Sequence, residues 1–209
     1  MTKTTTRPPA IREVRTVTGG RFDLRTYTFN RSRPGGPSKD FDRDVYMRGD
    51  TASVLPFDSE RSTVLLTRQF RAGALVAGSD DGFVIEVAGG LVGSEDPIAA
   101  AGRECAEELG YRVHSLELAV APYMNPGLLP ERSYLFLGEY SERDRVGPGG
   151  GLDEEDEDIE VIELPLAKTR DLALTGAIED GRTLVLILLL AARRLAPLHE
   201  LVVGPGAVQ

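Results

Sequence analysis

The sequence predicts an α+β fold in which a mixed β-sheet lies between helices. Apolar stretches with strand-like alternation are interspersed with a few helical segments, and the two do not alternate strictly as they would in a βαβ protein. The 209 residues, of which 41% are hydrophobic, are enough for one well-packed core with a small appendage. Two full domains would be a tight fit in a chain of this length.

The sequence of residues 1–43 predicts an N-terminal extension to the main domain. Residues 1–10 have no periodicity and are expected to form a disordered tail. Alternating apolar residues on both sides of Gly19 and Gly20 predict a β-hairpin within residues 11–43. A polar loop rich in proline and glycine, residues 30–42, is expected to separate this hairpin from the main domain.

The main domain is expected over residues 44–200, with a frayed tail at 201–209. Short runs of strand-forming residues predict strands at 45–47, 52–57, 64–70, 83–87, 112–121, 133–140 and 159–164. Helical periodicity predicts helices at 167–174 and 180–195, the second capped by Asp180 and strongly apolar.

One further helix, between residues 96 and 110, carries the chemistry. Asp96 and Pro97 are suited to its first turn, and Gly110 supplies its end. Spacings of three and four residues, as on one face of a helix, predict a buried stripe formed by Ile98, Ala101, Cys105 and Leu109. Three glutamates share another face at positions i, i+3 and i+4, namely Glu104, Glu107 and Glu108.

These three glutamates predict a divalent metal site. Like charges at this spacing repel one another, so the arrangement is unfavourable unless a cation lies among them. Crowded carboxylate oxygens suit Mg²⁺ or Mn²⁺, which commonly bridge protein carboxylates to the phosphates of a substrate. Arg103 lies one turn before Glu107 and is expected to hold that carboxylate in place. The alternative for such a run is a solvated acidic helix face.

Composition narrows the class of partner. The net charge of -9 argues against nucleic-acid polymers and anionic membrane surfaces. The most apolar run, residues 184–192, is too short to span a bilayer and predicts a buried helix. A single cysteine permits no intramolecular disulfide, and no secretory leader is recognisable, so a reducing cytoplasm is expected.

Two further segments are candidates for substrate contact. Arg68 and Arg71 lie at the end of a strand that otherwise looks buried, and their guanidinium groups could clamp phosphate; ordinary surface charge is the alternative. Residues 145–158 combine a glycine stretch, expected to be flexible, with six consecutive acidic residues. A carboxylate on this loop could orient a water or complete a metal's coordination, and a solvated loop is the alternative.

Residues 89–111 meet the pattern G-x5-E-x7-R-E-U-x-E-E-x-G-U, with Cys105 and Tyr111 at the U positions. The chain therefore resembles the Nudix hydrolases, whose fold is a mixed sheet sandwiched between helices. The resemblance implies that Ala88 offers a backbone carbonyl to metal, that Glu104 and Glu108 are the principal ligands, and that Glu107 supports them.

Within that family the chain is similar to the GDP-mannose pyrophosphatase and ADP-ribose pyrophosphatase group. The similar segments include Leu66-Thr-Arg-Gln-Phe-Arg71, Tyr123-Met-Asn-Pro-Gly127 and Gly176-Ala-Ile-Glu-Asp-Gly-Arg182. This likeness implies substrate contacts from Arg71, Glu131 and Arg182. It places Glu157, with Asp156, on a mobile loop near the metal. It also implies a homodimer with exchanged N-terminal hairpins, each completing the partner's site.

The function expected is Mg²⁺-dependent hydrolysis of a nucleoside diphosphate sugar to a nucleoside monophosphate and a sugar phosphate. Glu157 is favoured as the carboxylate that positions the attacking water, with Glu155 as the alternative. A different substrate, ADP-ribose, would give AMP and ribose 5-phosphate. A third possibility, from another class, is a Nudix module that binds a ligand without cleaving it.

Overall fold

The computed structural model describes residues 10–19, 22–32, 36–152, 154 and 157–195. These residues belong to two compact units. The first consists of the described residues up to Asp50 together with Tyr123–Arg132, and the second of Thr51–Pro122 together with the described residues from Ser133 onward. Of the predicted tails at 1–10 and 201–209, all residues except Ala10 lie outside the described residues. Ala10 is the first residue of a strand, so the prediction of disorder is wrong for that residue.

The first unit contains an antiparallel sheet of three strands in the order β1-β2-β3. Their bounds are Ala10–Gly19 for β1, Asp23–Ser32 for β2 and Ser38–Met47 for β3. The pairing of β1 with β2 is the expected hairpin. However, β3 begins within the segment for which the sequence predicts a loop, so the prediction of a loop over 30–42 is wrong there. Polar residues pair across β2 and β3 by side-chain hydrogen bonds, as between Thr28 and Asp42, which apolar alternation does not reveal.

The segment Tyr123–Arg132 belongs to this first unit and is held by specific contacts within it. The Tyr46 N–H donates to the Leu128 carbonyl at 3.0 Å, and the Arg132 N–H donates to Asp50 Oδ1 at 2.9 Å. Glu131 is buried and pairs with Arg48 at 3.6 Å. The predicted substrate residue Glu131 is therefore ordered by this unit's own contacts.

The second unit contains a mixed sheet of seven strands. The strands are β4 (Thr51–Asp58), β5 (Thr63–Phe70), β6 (Phe83–Glu86), β7 (Ala88–Leu91), β8 (His114–Val120), β9 (Ser133–Glu139) and β10 (Glu160–Pro165). The main path runs β10-β5-β4-β9-β8, and β4 and β9 are parallel whereas the other pairs are antiparallel. Each of these strands except β7 was expected from the sequence, with bounds that differ by a few residues, as is usual for strand ends.

The strands β4 and β5 diverge along most of their length and leave a gap in the sheet. These neighbours pair only at their turn end, through Phe57 with Val64 and Asp58 with Thr63. Beyond that point β6 pairs with β5 and β7 pairs with β4, so the chain from β6 to β7 fills the space between the diverging strands.

Helices cover both faces of this sheet, as the sequence predicts. Their bounds are α1 (Ala72–Val76), α2 (Pro97–Glu104), α3 (Leu166–Leu174) and α4 (Gly181–Leu195), and a π-helical turn, Cys105–Leu109, continues α2. Leu65 belongs to the core beneath α2, whereas the next residue, Leu66, belongs to the core beneath α3 and α4. Successive strand residues point to opposite faces, which explains this division.

Two details of the helices differ from the sequence-based prediction. Ile98 was expected in the buried stripe of α2 but is 44% exposed, and Ala100 is fully buried in its place. Ile98 lies in the first turn of α2, directly after the cap at Asp96. The short helix α1 was not predicted, because five residues are too few to show a period.

Among the described residues, no helix combines the length and the apolar character needed to cross a membrane.

Candidate functional site

The chain between β6 and β7 is tied to two different helices. Val87, between the strands, donates its N–H to Thr183 Oγ1 of α4 at 2.8 Å. Two residues later, the Gly89 N–H donates to Glu108 Oε2 of the π-helical turn at 3.1 Å. Ala88, between these two contacts, is fully buried. The backbone that the resemblance assigns to the metal is therefore held from both sides.

Glycine is required where this backbone approaches the glutamates. A Cβ atom on Gly90 would overlap the Glu104 carboxylate, and one on Gly89 would overlap the Ala52 carbonyl and the Ser53 hydroxyl. A residue without a side chain lets the backbone come this close.

The helix that carries the glutamates is built as predicted at its two ends. The Asp96 side chain accepts a hydrogen bond from the Ile98 N–H, and Pro97 occupies the first turn. Gly110 ends the helix in a left-handed conformation with φ of 77°. Between them the helix changes from α to π at Cys105, so that Glu104 lies in one type of helix and both Glu107 and Glu108 in the other. Single π-turns of this kind are frequent at functional sites.

Burial and mutual repulsion disfavour the charged forms of two glutamates. Glu108 is 2% exposed. Its burial first, and then the nearby Glu104, raise the pKa of Glu108 to about 8. Burial also raises the pKa of Glu104, with Glu107 and Glu157 raising it further and Arg103 opposing them. These are the electrostatic conditions under which a bound cation is stabilising.

Arg103 is the centre of the neighbouring ion pairs. It contacts Glu107 at 2.7 Å, as the helical spacing predicts, and also Glu104 at 2.9 Å and Glu95 at 3.1 Å. A single guanidinium group thus orients three carboxylates of the motif.

Glu157 of the acidic loop lies near the end of the glutamate helix. A Cβ atom on Gly151 would overlap the Glu157 side chain, and the Gly151 N–H donates to the Glu107 carbonyl of the helix. The charge of Glu157 is also among the causes that raise the pKa of Glu104 and Glu108. The Glu157 carboxylate accepts a hydrogen bond from the Leu152 N–H at 3.1 Å. The other predicted loop residues, Glu155 and Asp156, lie outside the described residues.

Arg71 and Arg182 meet on one buried carboxylate, Glu86, the last residue of β6. Arg71 donates to both of its oxygens from Nε, at 3.1 and 3.0 Å, and from Nη2 at 2.6 Å. Arg182 lies 3.4 Å from the same carboxylate and 3.3 Å from Asp180. A cavity of about 490 Å³ adjoins this group, lined in part by Arg71, Glu86 and Asp180. Arg71 and Arg182, both predicted to contact substrate, are thus held together by Glu86, which was not predicted as a site residue.

Arg68 is not brought to this group. It pairs with Asp81 at 2.7 Å and with Glu160 at 3.7 Å, and its guanidinium group lies over the Phe83 ring. Arg68 lies two residues after Leu66 and therefore on the same face of the strand, the face opposite the core beneath α2. Arg71, an odd number of residues further on, belongs to the other face. This strand geometry separates Arg68 from Arg71.

Sequence reasoning missed the roles of Glu86 and Thr183. A buried acidic residue within an apolar strand is a signal for the first, because such residues are almost always paired. Thr183 carries no local signal, since its hydroxyl serves a residue 96 positions away.

The residues present fit a divalent cation. Within the described part of the chain, no three acidic, histidine or cysteine side chains are placed to ligate one ion together. Yet the donors are of the right kind: Glu104, Glu108 and Glu157 are hard oxygen ligands whose charges repel, and the glycines leave the adjoining backbone open.

The comparison with known proteins agrees with this geometry. Residues 47–184 match the Nudix domain family. The chain is similar to the GDP-mannose pyrophosphatase of Citrobacter koseri, with 40% identity over 166 residues, which are 79% of this chain and 86% of the relative. It is similar to the protein of that name from Salmonella arizonae, with 39% identity over the same shares.

The fold also has a solved counterpart. A crystal structure of an ADP compounds hydrolase matches 91% of this chain and 96% of its own, with a TM-score of 0.70 and 19% identity. At that identity the likeness concerns the fold alone.

Proposed function

The chain belongs to the Nudix family and is a hydrolase acting on phosphorus anhydrides, and from this premise we propose that it cleaves the diphosphate of a nucleoside diphosphate sugar. GDP-mannose is the reference substrate, because relatives of that activity share about two fifths of the aligned residues over most of the chain. The products are a nucleoside monophosphate and a sugar phosphate. The observation that carries the proposal is that Glu104 and Glu108 both lie against the backbone of Gly89 and Gly90, and that the loop carrying Glu157 is bonded at its base to the same helix.

The metal is proposed to be Mg²⁺, with Mn²⁺ able to replace it. The Ala88 carbonyl and the side chains of Glu104, Glu108 and Glu157 would hold it, and Glu107 supports the cluster through Arg103. When bound, such a cation offsets the charge of the diphosphate and makes a coordinated water more acidic.

Other side chains are proposed to bind the substrate and to activate the attacking water. Arg71 and Arg182, held by Glu86, are proposed to bind the non-bridging oxygens, because planar guanidinium groups match phosphate geometry. Glu157 orients the attacking water and accepts its proton, with Glu155 as the alternative. Contacts from Glu131 and Asp156 stay predictions of the family resemblance. The ion pairs of Arg68 favour a structural role for that residue.

We further propose a homodimer with exchanged N-terminal hairpins in the reducing cytoplasm. Support for the dimer comes from β1, where three apolar side chains are exposed, Ile11, Val14 and Val17. Support for the compartment comes from the single cysteine, Cys105, which is buried and free.

The reaction is tested with a panel of nucleotide sugars and ADP-ribose in ¹⁸O-labelled water, with products identified by mass. We expect GDP-mannose or a related nucleotide sugar to give the highest kcat/KM, and the label shows which phosphorus is attacked. A strong preference for ADP-ribose would replace the substrate proposed here and leave the chemistry unchanged.

The metal site is tested by Glu104→Gln and Glu108→Gln, measured separately. Each change keeps the side chain's shape and removes a charged ligand, so we expect kcat to fall by about 100-fold or more at fixed Mg²⁺. Glu60→Gln, in the exposed turn after β4, is the matched control and should behave as the wild type. Near wild-type turnover of either site variant on every substrate would show that the site is misassigned.

A further inference from the structure

The glycine stretch before the acidic loop is docked onto the end of the glutamate helix. The Gly150 N–H donates to the Glu108 carbonyl at 2.9 Å, and the Gly151 N–H donates to the Glu107 carbonyl at 3.2 Å. The last carbonyls of a helix have no partner within it, so these bonds cap the helix. The glycine stretch that the sequence analysis expects to be flexible is thus bonded to the helix at these residues, and we call residues 149–151 the glycine strap.

The next N–H group extends the connection to Glu157. Leu152 donates its N–H to Glu157 Oε2 at 3.1 Å. Three consecutive backbone N–H groups thus bind Glu108, Glu107 and Glu157 in turn. In addition, the Ile159 N–H donates to the Gly150 carbonyl at 3.2 Å, which closes the base of the loop.

The strap requires glycine at two positions for different reasons. A Cβ atom on Gly149 would lie 2.7 Å from the Glu108 carbonyl oxygen, against the backbone of the π-helical turn. A Cβ atom on Gly151 would lie 2.5 Å from Glu157 Oε2 and 2.7 Å from its Cβ, so a rotation of the carboxylate alone does not relieve the overlap. Both glycines have positive φ, +73° and +84°.

We propose that the glycine strap is a positioning device that holds the Glu157 carboxylate in register with Glu104 and Glu108. A glutamate on the acidic loop would otherwise sample many positions, and misplacement of a catalytic group by about 1 Å can lower the rate by about 100-fold. The strap transfers the position of the rigid helix to the loop through main-chain hydrogen bonds. This inference rests on the proposed function, in which Glu157 acts beside those two glutamates.

Four alanine variants separate the contributions. Gly147→Ala is the matched control, because its Cβ meets open space and its φ is not positive. Gly150→Ala has positive φ, +106°, with no atom nearer than 3.8 Å, so it tests backbone strain alone. Gly149→Ala disturbs the docking on the helix, and Gly151→Ala presses on Glu157.

The measurements are kcat, KM, Mn²⁺ affinity by electron paramagnetic resonance, and the unfolding temperature without metal. We expect Gly151→Ala to lower kcat about tenfold or more with KM changed less than about threefold, and to weaken Mn²⁺ binding. Gly150→Ala should lower the unfolding temperature with a smaller loss of kcat, and Gly147→Ala should match the wild type. Equal losses of kcat in Gly150→Ala and Gly151→Ala would overturn the proposal, because strain alone would explain them.

A second background keeps the test independent of folding. In Glu157→Gln, the change Gly151→Ala should lower kcat by much less than it does in the wild type, since both act through one carboxylate. Fully additive effects would contradict the proposal. If Gly149→Ala does not fold, Gly151→Ala and this double variant still decide.

The two proposals fail differently. A wild type that cleaves nucleotide sugars, with Gly149→Ala and Gly151→Ala equal to Gly147→Ala in every measurement, would remove the strap and leave the function. A wild type that cleaves none of them but binds Mn²⁺, more weakly in the strap variants, would support the strap and remove the function.

Discussion

Glu86 shows how one buried side chain can organise residues that are distant in the sequence. It is nearly inaccessible, and an unpaired carboxylate in such a place would cost several kcal/mol. Arg71 and Arg182 supply the compensating charge from the end of β5 and the start of α4. Burial lowers the pKa of Arg71, but the hydrogen bonds to Glu86 together with the negative charges of Glu86, Glu108 and Asp180 outweigh burial, so the pKa is raised and the group stays charged.

Arg71→Lys tests this arrangement at the level of a single residue. Lysine keeps the charge but cannot donate to both oxygens of Glu86 while facing a phosphate. We expect kcat/KM to fall about tenfold, equivalent to about 1.4 kcal/mol of transition-state stabilisation. Steady-state kinetics on the preferred substrate provides the measurement.

Arg68→Lys is the control for that change, since its ion pairs are with Asp81 and Glu160 in partly exposed positions. Pairs of this kind contribute little, so kcat/KM should stay within about twofold of the wild type. A loss as large as that of Arg71→Lys would return Arg68 to the substrate-binding residues.

At the scale of elements, α4 is joined to the strands by its first turn. Asp180 accepts hydrogen bonds from the Thr183 N–H at 2.8 Å and from its hydroxyl at 2.7 Å. The same hydroxyl accepts the Val87 N–H, which the gap between β6 and β7 leaves without a ladder partner. The Thr183 hydroxyl therefore takes part in the cap of α4 and also satisfies the Val87 N–H between β6 and β7.

Thr183→Val removes this link with little change of shape. The buried Val87 N–H loses its acceptor, and we expect the free energy of unfolding to fall by about 1–3 kcal/mol. Denaturant unfolding without metal measures the loss. Thr183→Ser keeps the hydroxyl and should lose only about 1 kcal/mol, from the missing methyl group. A serine variant as unstable as the valine variant would mean that packing, rather than the hydrogen bond, explains the effect.

At the scale of the whole molecule, the two units differ in how they are stabilised. The seven-stranded sheet is covered by helices on both faces, with separate apolar cores beneath α2 and beneath α3 and α4. The three-stranded sheet instead has few buried residues and relies on cross-strand polar and aromatic pairs, such as Phe29 stacked on Phe41. Three exposed apolar residues of β1, Ile11, Val14 and Val17, form the kind of surface at which a partner binds.

Val14→Asp tests the proposed dimer at this scale. A charge placed among Ile11, Val14 and Val17 should oppose their burial against a second copy. We expect light scattering to shift the molecular mass from dimer towards monomer, with a loss of activity at low protein concentration. Ser59→Asp, which adds the same charge in the exposed turn after β4, is the control. A wild type that is monomeric at every concentration would contradict the dimer.

Much of the glutamate helix could be predicted from local sequence. The cap at Asp96, the end at Gly110 and the pair of Arg103 with Glu107 all depend on residues a few positions apart. The π-helical turn could not be predicted from the sequence. Cys105 and Leu109 are apolar and buried whether the turn is α-helical or π-helical, so the apolar pattern is the same in both cases. The strand over 38–47 was partly missed, because its pairing depends on polar side chains on a neighbouring strand.

By itself, the sequence determined the fold class, the family and the glutamates that lie together, since each depends on a pattern repeated over a few residues. Only the tertiary structure decided that Arg71 rather than Arg68 joins Arg182 on Glu86, that Thr183 binds Val87, and that the glycine strap caps the helix. These contacts join residues from about 15 to nearly 100 positions apart. They form where the diverging strands and the helix ends come together in the folded chain, and a pattern within a few residues of sequence does not predict such contacts.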